Sequence, residues 1–366
     1  MLSLLLEKLK LKKHKKTLAL IRFDGIGDYL HMRPFFPYLR QCKKYKDYRF
    51  ILIGRDNFIS LSQTYDRQYF DHIFFIKYPP QIRNRVNRLL RKIRWFKIDE
   101  LISPVRFLDP EMVVDLFGKI KAKKKIAADC ISSIAEQKQC YENQADIIIE
   151  TDQKAIFEFD RYKSFFEKLI EEPIPLTAPS LEKSNVCFDK KNYAVLSPFA
   201  NEESRSFSIE DAAHIILHLL DHSPAEQVIL LDNKRKKIEQ LFQHLQQRTN
   251  INPCYQEEQI SLQINGKKIC WHRLKTFQET LPFIQNALFL FTVDTSFLHA
   301  GAMSGTPTVY AAGGRSYGVF HPYPKSFTHV SGIYPSDLSE ESSIQDIALK
   351  DIIAKLDNFL NNVIQN

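Results

Sequence analysis

No C-x-x-C pair occurs in this chain, although six cysteines do: Cys42, Cys130, Cys140, Cys187, Cys254 and Cys270. Their scatter speaks against a zinc site or a disulfide framework and for reduced thiols. No apolar run approaches the roughly 20 residues that a membrane span needs. The opening MLSLLLEKLKLKKHKK puts its apolar residues before its lysines and lacks a small-residue cleavage site. It does not read as a secretory signal, and a cytoplasmic protein is expected. Zinc-finger spacing and the aromatic RNA-binding signature are missing too, which ranks nucleic acid low among partners.

What is present describes a globular protein with two domains. The 366 residues exceed the usual size of a single core, and 44% are hydrophobic against 26% charged. Charge is unevenly spread. Residues 1–180 hold 34 Lys+Arg against 23 Asp+Glu, or +11, and the remainder holds 17 against 20, or −3. The cations gather in KLKLKKHKK (8–16), RNRVNRLLRKIRWFK (83–97) and KIKAKKK (119–125). Each run taken alone suits a solvated face. Together they suit an anionic partner, such as a membrane surface or a phosphorylated glycolipid.

Apolar, β-branched runs alternate with helical periodicity. In the first half the expected strands are 17–23, 48–54, 72–78 and 112–117, with helices at 28–41 and 81–96. Three prolines within seven residues (Pro173, Pro175, Pro179) then mark a linker. The second half restarts, with strands expected at 193–199, 227–232, 267–272, 288–294 and 306–312. Helices are expected at 208–221, 234–247, 277–286, 297–304 and 344–364. The order implies an α/β protein of two doubly wound domains: 1–175, 186–340, and a closing helix in 341–366 that packs back.

Two constellations fall at strand ends. The first, Gly25-Ile26-Gly27-Asp28, follows the run TLALIRF. As a dinucleotide fingerprint it fails, because Leu30 stands where the third glycine belongs, and no Gly-Lys-Ser/Thr follows as in a P-loop. Asp28 would repel a phosphate, and it also suits a helix cap. The second is FTVDTSFLHAGAMSGTPTVY (291–310). Here an apolar strand ends at Asp294, Thr295 and Ser296 open a helix that offers hydroxyls and free N–H groups to an anion, and His299 lies in its first turns.

In order, R-x-x-x-I-G-D-x-x-H-x-x-P (Arg22 to Pro34) and V-D-T-S-x-x-H-x-x-x-x-x-G-x-P (Val293 to Pro307) resemble glycosyltransferase family 9, the ADP-heptose:lipopolysaccharide heptosyltransferases. The resemblance implies a GT-B fold, two Rossmann-like domains facing across a cleft. It implies an inverting transferase needing neither metal nor cofactor, its nucleotide sugar held by the second domain and its acceptor by the first. Asp28 would be the general base, with Arg22, Gly27, His31 and Arg33 meeting the acceptor. Thr295, Ser296 and His299 would surround the diphosphate, Asp294 would lie beside the donor sugar, and Arg205 would stand where the family has a lysine. Gly313 and Gly314 would let backbone approach the nucleotide.

Three departures stand out. Ser296 replaces the glycine of D-T-G. LLDNKRKKIEQ (230–240) has no clear counterpart to the family's donor-side glycine and glutamate, leaving Asp232 or Glu239 for that role. AGGRSYG (312–318) lacks the usual Gly-Pro/Ser-Thr run. The implied acceptor is an anionic, lipid-linked core oligosaccharide at the inner face of the membrane, with the enzyme held there peripherally. The alternatives are the same chemistry on a UDP-hexose or N-acetylhexosamine donor, and a non-catalytic nucleotide-sugar-binding protein.

Overall fold

TLALIR is buried along its whole length, as a strand covered on both faces by helices must be. It forms β1 (Thr17–Arg22), the centre of the first of two compact units, Met1–Ala178 and Pro179–Asn366, in a computed structural model. The structure describes residues 15–77, 82–105, 113–131, 134–152, 155–184, 186, 192–318 and 320–365. Most of the first basic run, the side chains at 83–85 and Cys187 lie outside the described residues.

The first unit carries β2 (Arg49–Arg55), β3 (His72–Ile76), β4 (Ile98–Ser103), β5 (Ala122–Ala128) and β6 (Ile147–Ile149) beside β1. The order is β3-β2-β1-β4-β5-β6, and every pairing is parallel. The chain therefore winds one way from β1 to β3, returns, and leaves β1 and β4 flanking a topological switch point. Helices α1 (Ile26–Met32), α2 (Phe36–Gln41), α3 (Ile82–Ile93), α4 (Val113–Lys119), α5 (Ala135–Glu142) and α6 (Glu158–Ile170) join the strands. One core packs Ile21, Ile53, Leu101, Leu116 and Phe117 together.

Of residues 112–117, expected as a strand, 113–117 belong instead to α4, and Met112 lies outside the described residues. Val113, Leu116 and Phe117 fall on one helical face and are fully buried. The strand at this place in the order is β4, whose apolar residues are interrupted by Asp99 and Glu100.

The second unit repeats the winding with β7 (Tyr193–Ser197), β8 (Gln227–Leu230), β9 (Cys254–Tyr255), β10 (Gln259–Ile264), β11 (Lys267–His272), β12 (Phe289–Val293), β13 (Thr308–Ala311) and β14 (Val330–Ile333). The order β14-β13-β12-β7-β8-β11-β10-β9 puts the switch point between β7 and β12. β10 and β9 extend the sheet antiparallel. The β10–β11 hairpin turns on Asn265 and Gly266, both at positive φ, the conformation that a tight hairpin selects. Helices α7 (Ile209–His222), α8 (Arg235–Thr249), α9 (Phe277–Gln285), α10 (Ser296–Ser304) and α11 (Leu349–Gln365) cover the sheet. Ile352, Leu356 and Leu360 of α11 bury into this unit's core. No helix among the described residues is long and apolar enough to cross a membrane.

Candidate functional site

Each unit places one polar constellation at the carboxyl edge of its sheet, beside the switch point, where open α/β sheets bind ligands. In the first unit β1 ends at Arg22, and the chain turns through Asp24 and Gly25 into α1. Asp28 is the third residue of that helix. Its Oδ2 accepts a hydrogen bond from the Gly25 N–H at 3.0 Å, the one half of a capping box that a glycine N-cap allows. Its Oδ1 lies 3.8 Å from Arg22 Nη2, and the side chain remains 23% exposed. Asp28 is thus a helix cap that still presents its carboxylate to solvent.

Gly25 keeps that contact relaxed, since a Cβ there would lie 3.1 Å from Asp28 Oδ2. Gly25→Ala is expected to displace the carboxylate by a few tenths of an ångström. Turnover should fall about tenfold, as misplacement of a reacting group does, with stability changed by under about 1 kcal/mol. Steady-state kinetics beside thermal unfolding checks this.

Arg22, His31 and Arg33, expected to meet an acceptor, are all buried. Arg22 is fully buried, pairs with Asp24 at 3.0 Å, stacks 4.9 Å from the Tyr162 ring and donates to the Pro104 carbonyl at the end of β4. Burial works against its charge, yet Asp24, Tyr162, Asp28 and Glu158 hold it firmly protonated. His31 is buried edge-on to Phe157. Arg33 forks onto the buried Asp66, which also accepts from the Tyr29 hydroxyl at 2.7 Å. Gly27 remains half-exposed in the first turn of α1.

In the second unit β12 delivers Asp294 to the carboxyl edge, and Thr295 caps α10 by accepting from the Phe297 N–H. Gly301 lets this helix lie close on the sheet, because a Cβ there would meet Thr308 Oγ1 at 2.6 Å and Leu290 at 2.7 Å. Thr295 and Ser296 stay half-exposed at the helix opening. Asp294 is buried and fully engaged. Ser316 Oγ donates to its Oδ2 at 2.7 Å, His321 Nε2 lies 3.0 Å from its Oδ1, and Arg205 Nη1 reaches its carbonyl at 3.3 Å. Burial alone would raise its pKa, but His321, His299 and Arg205 outweigh burial and hold it ionised well below the usual carboxylate range. Asp294 is therefore the organiser of the site, with its own oxygens occupied.

Arg205, one-third exposed, is held from both sides, by Asp294 and by Glu202 at 3.3 Å. That fixes a guanidinium at the carboxyl edge, between the ends of β7 and β12. His299 is nearly buried and its Nδ1 lies 2.5 Å from the Tyr323 hydroxyl. Burial pushes its pKa down to about 4, against Asp294, with His321 and Arg205 adding to the fall. It is neutral at pH 7 and offers an anion a hydrogen bond without a charge.

The depressed pKa has a consequence for stability. The folded state binds fewer protons than the unfolded one between about 4 and 6.5. Stability contributed here is present above 6.5 and is lost as pH falls through that window, with a limiting slope of about 1.4 kcal/mol per pH unit. His299→Gln is expected to flatten that part of the curve, as urea unfolding at a series of pH values would show.

The remaining expected donor residues behave differently. Asp232 follows β8 at the same edge, accepting from the Lys234 N–H. Burial raises its pKa to about 6, with Lys234 and Lys237 opposing. Glu239 is paired with Arg235 at 2.7 Å on α8. Gly313 and Gly314 answer to packing within the chain: a Cβ would lie 2.6 Å from the Ser342 carbonyl in one case and 2.0 Å from that of Ser339 in the other. Their lack of a side chain thus lets the 338–343 segment pack and carries no information about a nucleotide. His321, Ser316 and Tyr323 were missed in the sequence, since each lies more than 20 residues from its partner in the chain.

No protein-family model matches this chain, and no curated protein matches it significantly in sequence. Solved structures do resemble it. A glycosyltransferase family 9 protein from Veillonella parvula DSM 2008 is 14% identical with a TM-score of 0.64, over 96% of this chain and 99% of that one. E. coli heptosyltransferase WaaC, solved with ADP, is 13% identical at TM-score 0.67, over 94% and 100%. E. coli ADP-heptose LPS heptosyltransferase II is 12% identical at 0.66, over 94% and 99%. At such identities the likeness establishes the fold, and it does so along nearly the whole chain: the expected GT-B class is the observed one.

Proposed function

We propose that this chain is a family 9 glycosyltransferase that moves a sugar, heptose from ADP-heptose in the leading reading, onto an anionic lipopolysaccharide core acceptor. The observation that carries the reading is the division of labour between the two carboxyl edges. One presents an accessible carboxylate, and the other presents a fixed guanidinium, hydroxyls and a helix N-terminus, the groups that suit a diphosphate.

In this scheme an acceptor hydroxyl gives its proton to Asp28 as its oxygen forms a bond to the anomeric carbon. The bond from that carbon to the diphosphate oxygen breaks, and the nucleoside diphosphate leaves. Arg205 and the opening of α10 meet its growing negative charge, with neutral His299 adding a hydrogen bond. The neighbouring carboxylate, Asp24, is held by Arg22, which agrees with a single displacement and inversion. No metal or cofactor takes part. The acceptor's lipid anchor places the reaction at the cytoplasmic face of the inner membrane.

The alternative within the same chemistry is a UDP-hexose or UDP-N-acetylhexosamine donor. It is supported by the ion-paired Glu239 and the absence of a glycine in the 230–240 segment. The test offers purified protein a truncated lipopolysaccharide acceptor with ADP-heptose and UDP-sugars in parallel. Product from ADP-heptose is expected. Product from a UDP-sugar alone would replace the donor, and binding without transfer from any donor would sink the enzyme reading.

A further inference from the structure

The three basic runs noted in the sequence reach the starts of β1, β4 and β5. The run 8–16 leads into Thr17, the run 83–97 into Ile98 and the run 119–125 into Ala122. Ile98 pairs with Ala122 in register, and the Thr17 N–H and Oγ1 donate to Asp99 Oδ2 and to the Phe96 carbonyl. The described ends of the three runs, Lys15–Lys16, Arg91–Lys97 and Lys119–Lys121, therefore meet at the amino edge of the sheet. Asp28 lies at the carboxyl edge, about 20 Å away along the six residues of β1.

This edge carries an unusual charge. The end of α3 and the approach to β4, residues 86–98, carry Arg88, Arg91, Lys92, Arg94 and Lys97 and no acidic residue. Beside it lies an open groove of about 780 Å³, floored by His72, Phe74 and Phe96. Arg88, Arg91, Lys92 and Arg94 line it. None of these four forms an ion pair with any described residue. The acids nearest in sequence are already engaged: Asp99 by Lys123 at 2.7 Å, Asp71 by Arg40 at 3.2 Å and Glu100 by the Tyr45 hydroxyl. On the rim Trp95 is 74% exposed, with the Arg94 guanidinium 4.9 Å from its ring.

We propose that this amino edge is a docking face for an anionic lipid bilayer, with Trp95 as its interfacial anchor. Unpaired cations attract anionic headgroups over about a Debye length. An exposed tryptophan flanked by arginine has the amphipathic form that settles at headgroup depth. Half-buried Phe74 and Phe96 form a floor beneath the cations and do not stand out as platforms on which bases would stack, which favours lipid over single-stranded nucleic acid. The face lies wholly within the first unit. The proposal does not depend on the donor sugar, and it is tested without turnover.

The full chain is mixed with vesicles of phosphatidylcholine alone, or of phosphatidylcholine with phosphatidylglycerol, and sedimented at low and high salt. Co-sedimentation with the anionic vesicles only, weakened by salt, is expected. Arg91→Gln, Lys92→Gln and Arg94→Gln together are expected to lower the partition coefficient about a hundredfold, at about fivefold for each basic side chain. Because Trp271, the other of the two tryptophans, is 1% exposed, a blue shift of emission on binding reports Trp95, and Trp95→Phe should abolish it. Equal binding to both vesicles, an unchanged triple variant, or a blue shift that survives Trp95→Phe would overturn the proposal. Binding of a single-stranded RNA oligonucleotide through the same residues, without vesicle binding, would overturn it in favour of nucleic acid. Transfer to a delipidated, soluble acceptor should be the same in all these variants, which separates a failure here from a failure of the transferase reading.

Discussion

Asp294→Ala is expected to destabilise the second unit by about 3–5 kcal/mol, the range for removing one partner of a buried ion pair. The expectation comes from what would be left behind. Arg205, His321 and the Ser316 hydroxyl all converge on this carboxylate, and its side chain is 7% exposed. Without it, the buried His321 would lose its carboxylate partner and Arg205 would keep only the exposed Glu202. Because burial opposes ionisation of Asp294 and its neighbours prevail, its folded pKa lies below the ordinary value of 3.8. Its stabilising contribution is present above that value and is lost as pH falls below it. Asp294→Asn should therefore be less stable near neutrality and lose less on acidification. Urea unfolding of the three proteins at pH 7 and at about pH 2.5, below the ordinary carboxylate value, checks both parts, and a cost under about 1 kcal/mol for Asp294→Ala would show that the cluster does not hold the loop ends together.

The second large effect is kinetic. Asp28→Asn is expected to lower kcat by about 10²–10⁴, the usual contribution of a positioned general base, while leaving the donor KM unchanged. The substitution is chosen because the cap and the base make different demands. Asparagine still has an oxygen to accept from the Gly25 N–H at the position that Asp28 Oδ2 holds, so this cap bond survives. Arg22 keeps its 3.0 Å partner in Asp24. Stability should thus change by less than about 1 kcal/mol, whereas Asp28→Ala should lose about that much through the cap. If Asp28→Asn turns over at the wild-type rate, the carboxylate is a cap and nothing more.

Legibility in the sequence followed how local each signal was. Strands β1, β2, β7 and β12 are continuous apolar runs between breaks, and their positions were readable to within a residue or two. β4 and β5 were hidden because IDELIS and AKKKIAA carry charges that only the fold explains: Asp99 binds the Thr17 N–H, Glu100 the hydroxyls of Tyr45 and Tyr48, and Lys125 the Phe117 carbonyl. The run 112–117 reads as a strand because a short apolar run fits either period. The Asn265-Gly266 dipeptide did announce the β10–β11 hairpin, and it was passed over.

The site divides in the same way. Residues within one turn of a strand end, Asp28 and the Asp294 to His299 box, could be found from spacing alone. The burial of Arg22, His31 and Arg33 could not, because a basic side chain looks the same in sequence whether it faces solvent or a buried carboxylate such as Asp66. His321, which lies 3.0 Å from Asp294, comes from a segment 27 residues further along, and no local pattern ties the two together.

The most direct measurement is the configuration of the new glycosidic bond. Wild-type protein is given ADP-heptose and a truncated lipopolysaccharide acceptor, released nucleoside diphosphate is counted against glycoside formed, and the anomeric configuration is read by NMR. One nucleoside diphosphate per glycoside, with the configuration inverted relative to the donor, is the result expected of a single displacement with Asp28 as base. Retained configuration, or nucleoside diphosphate released without a glycoside, would contradict it.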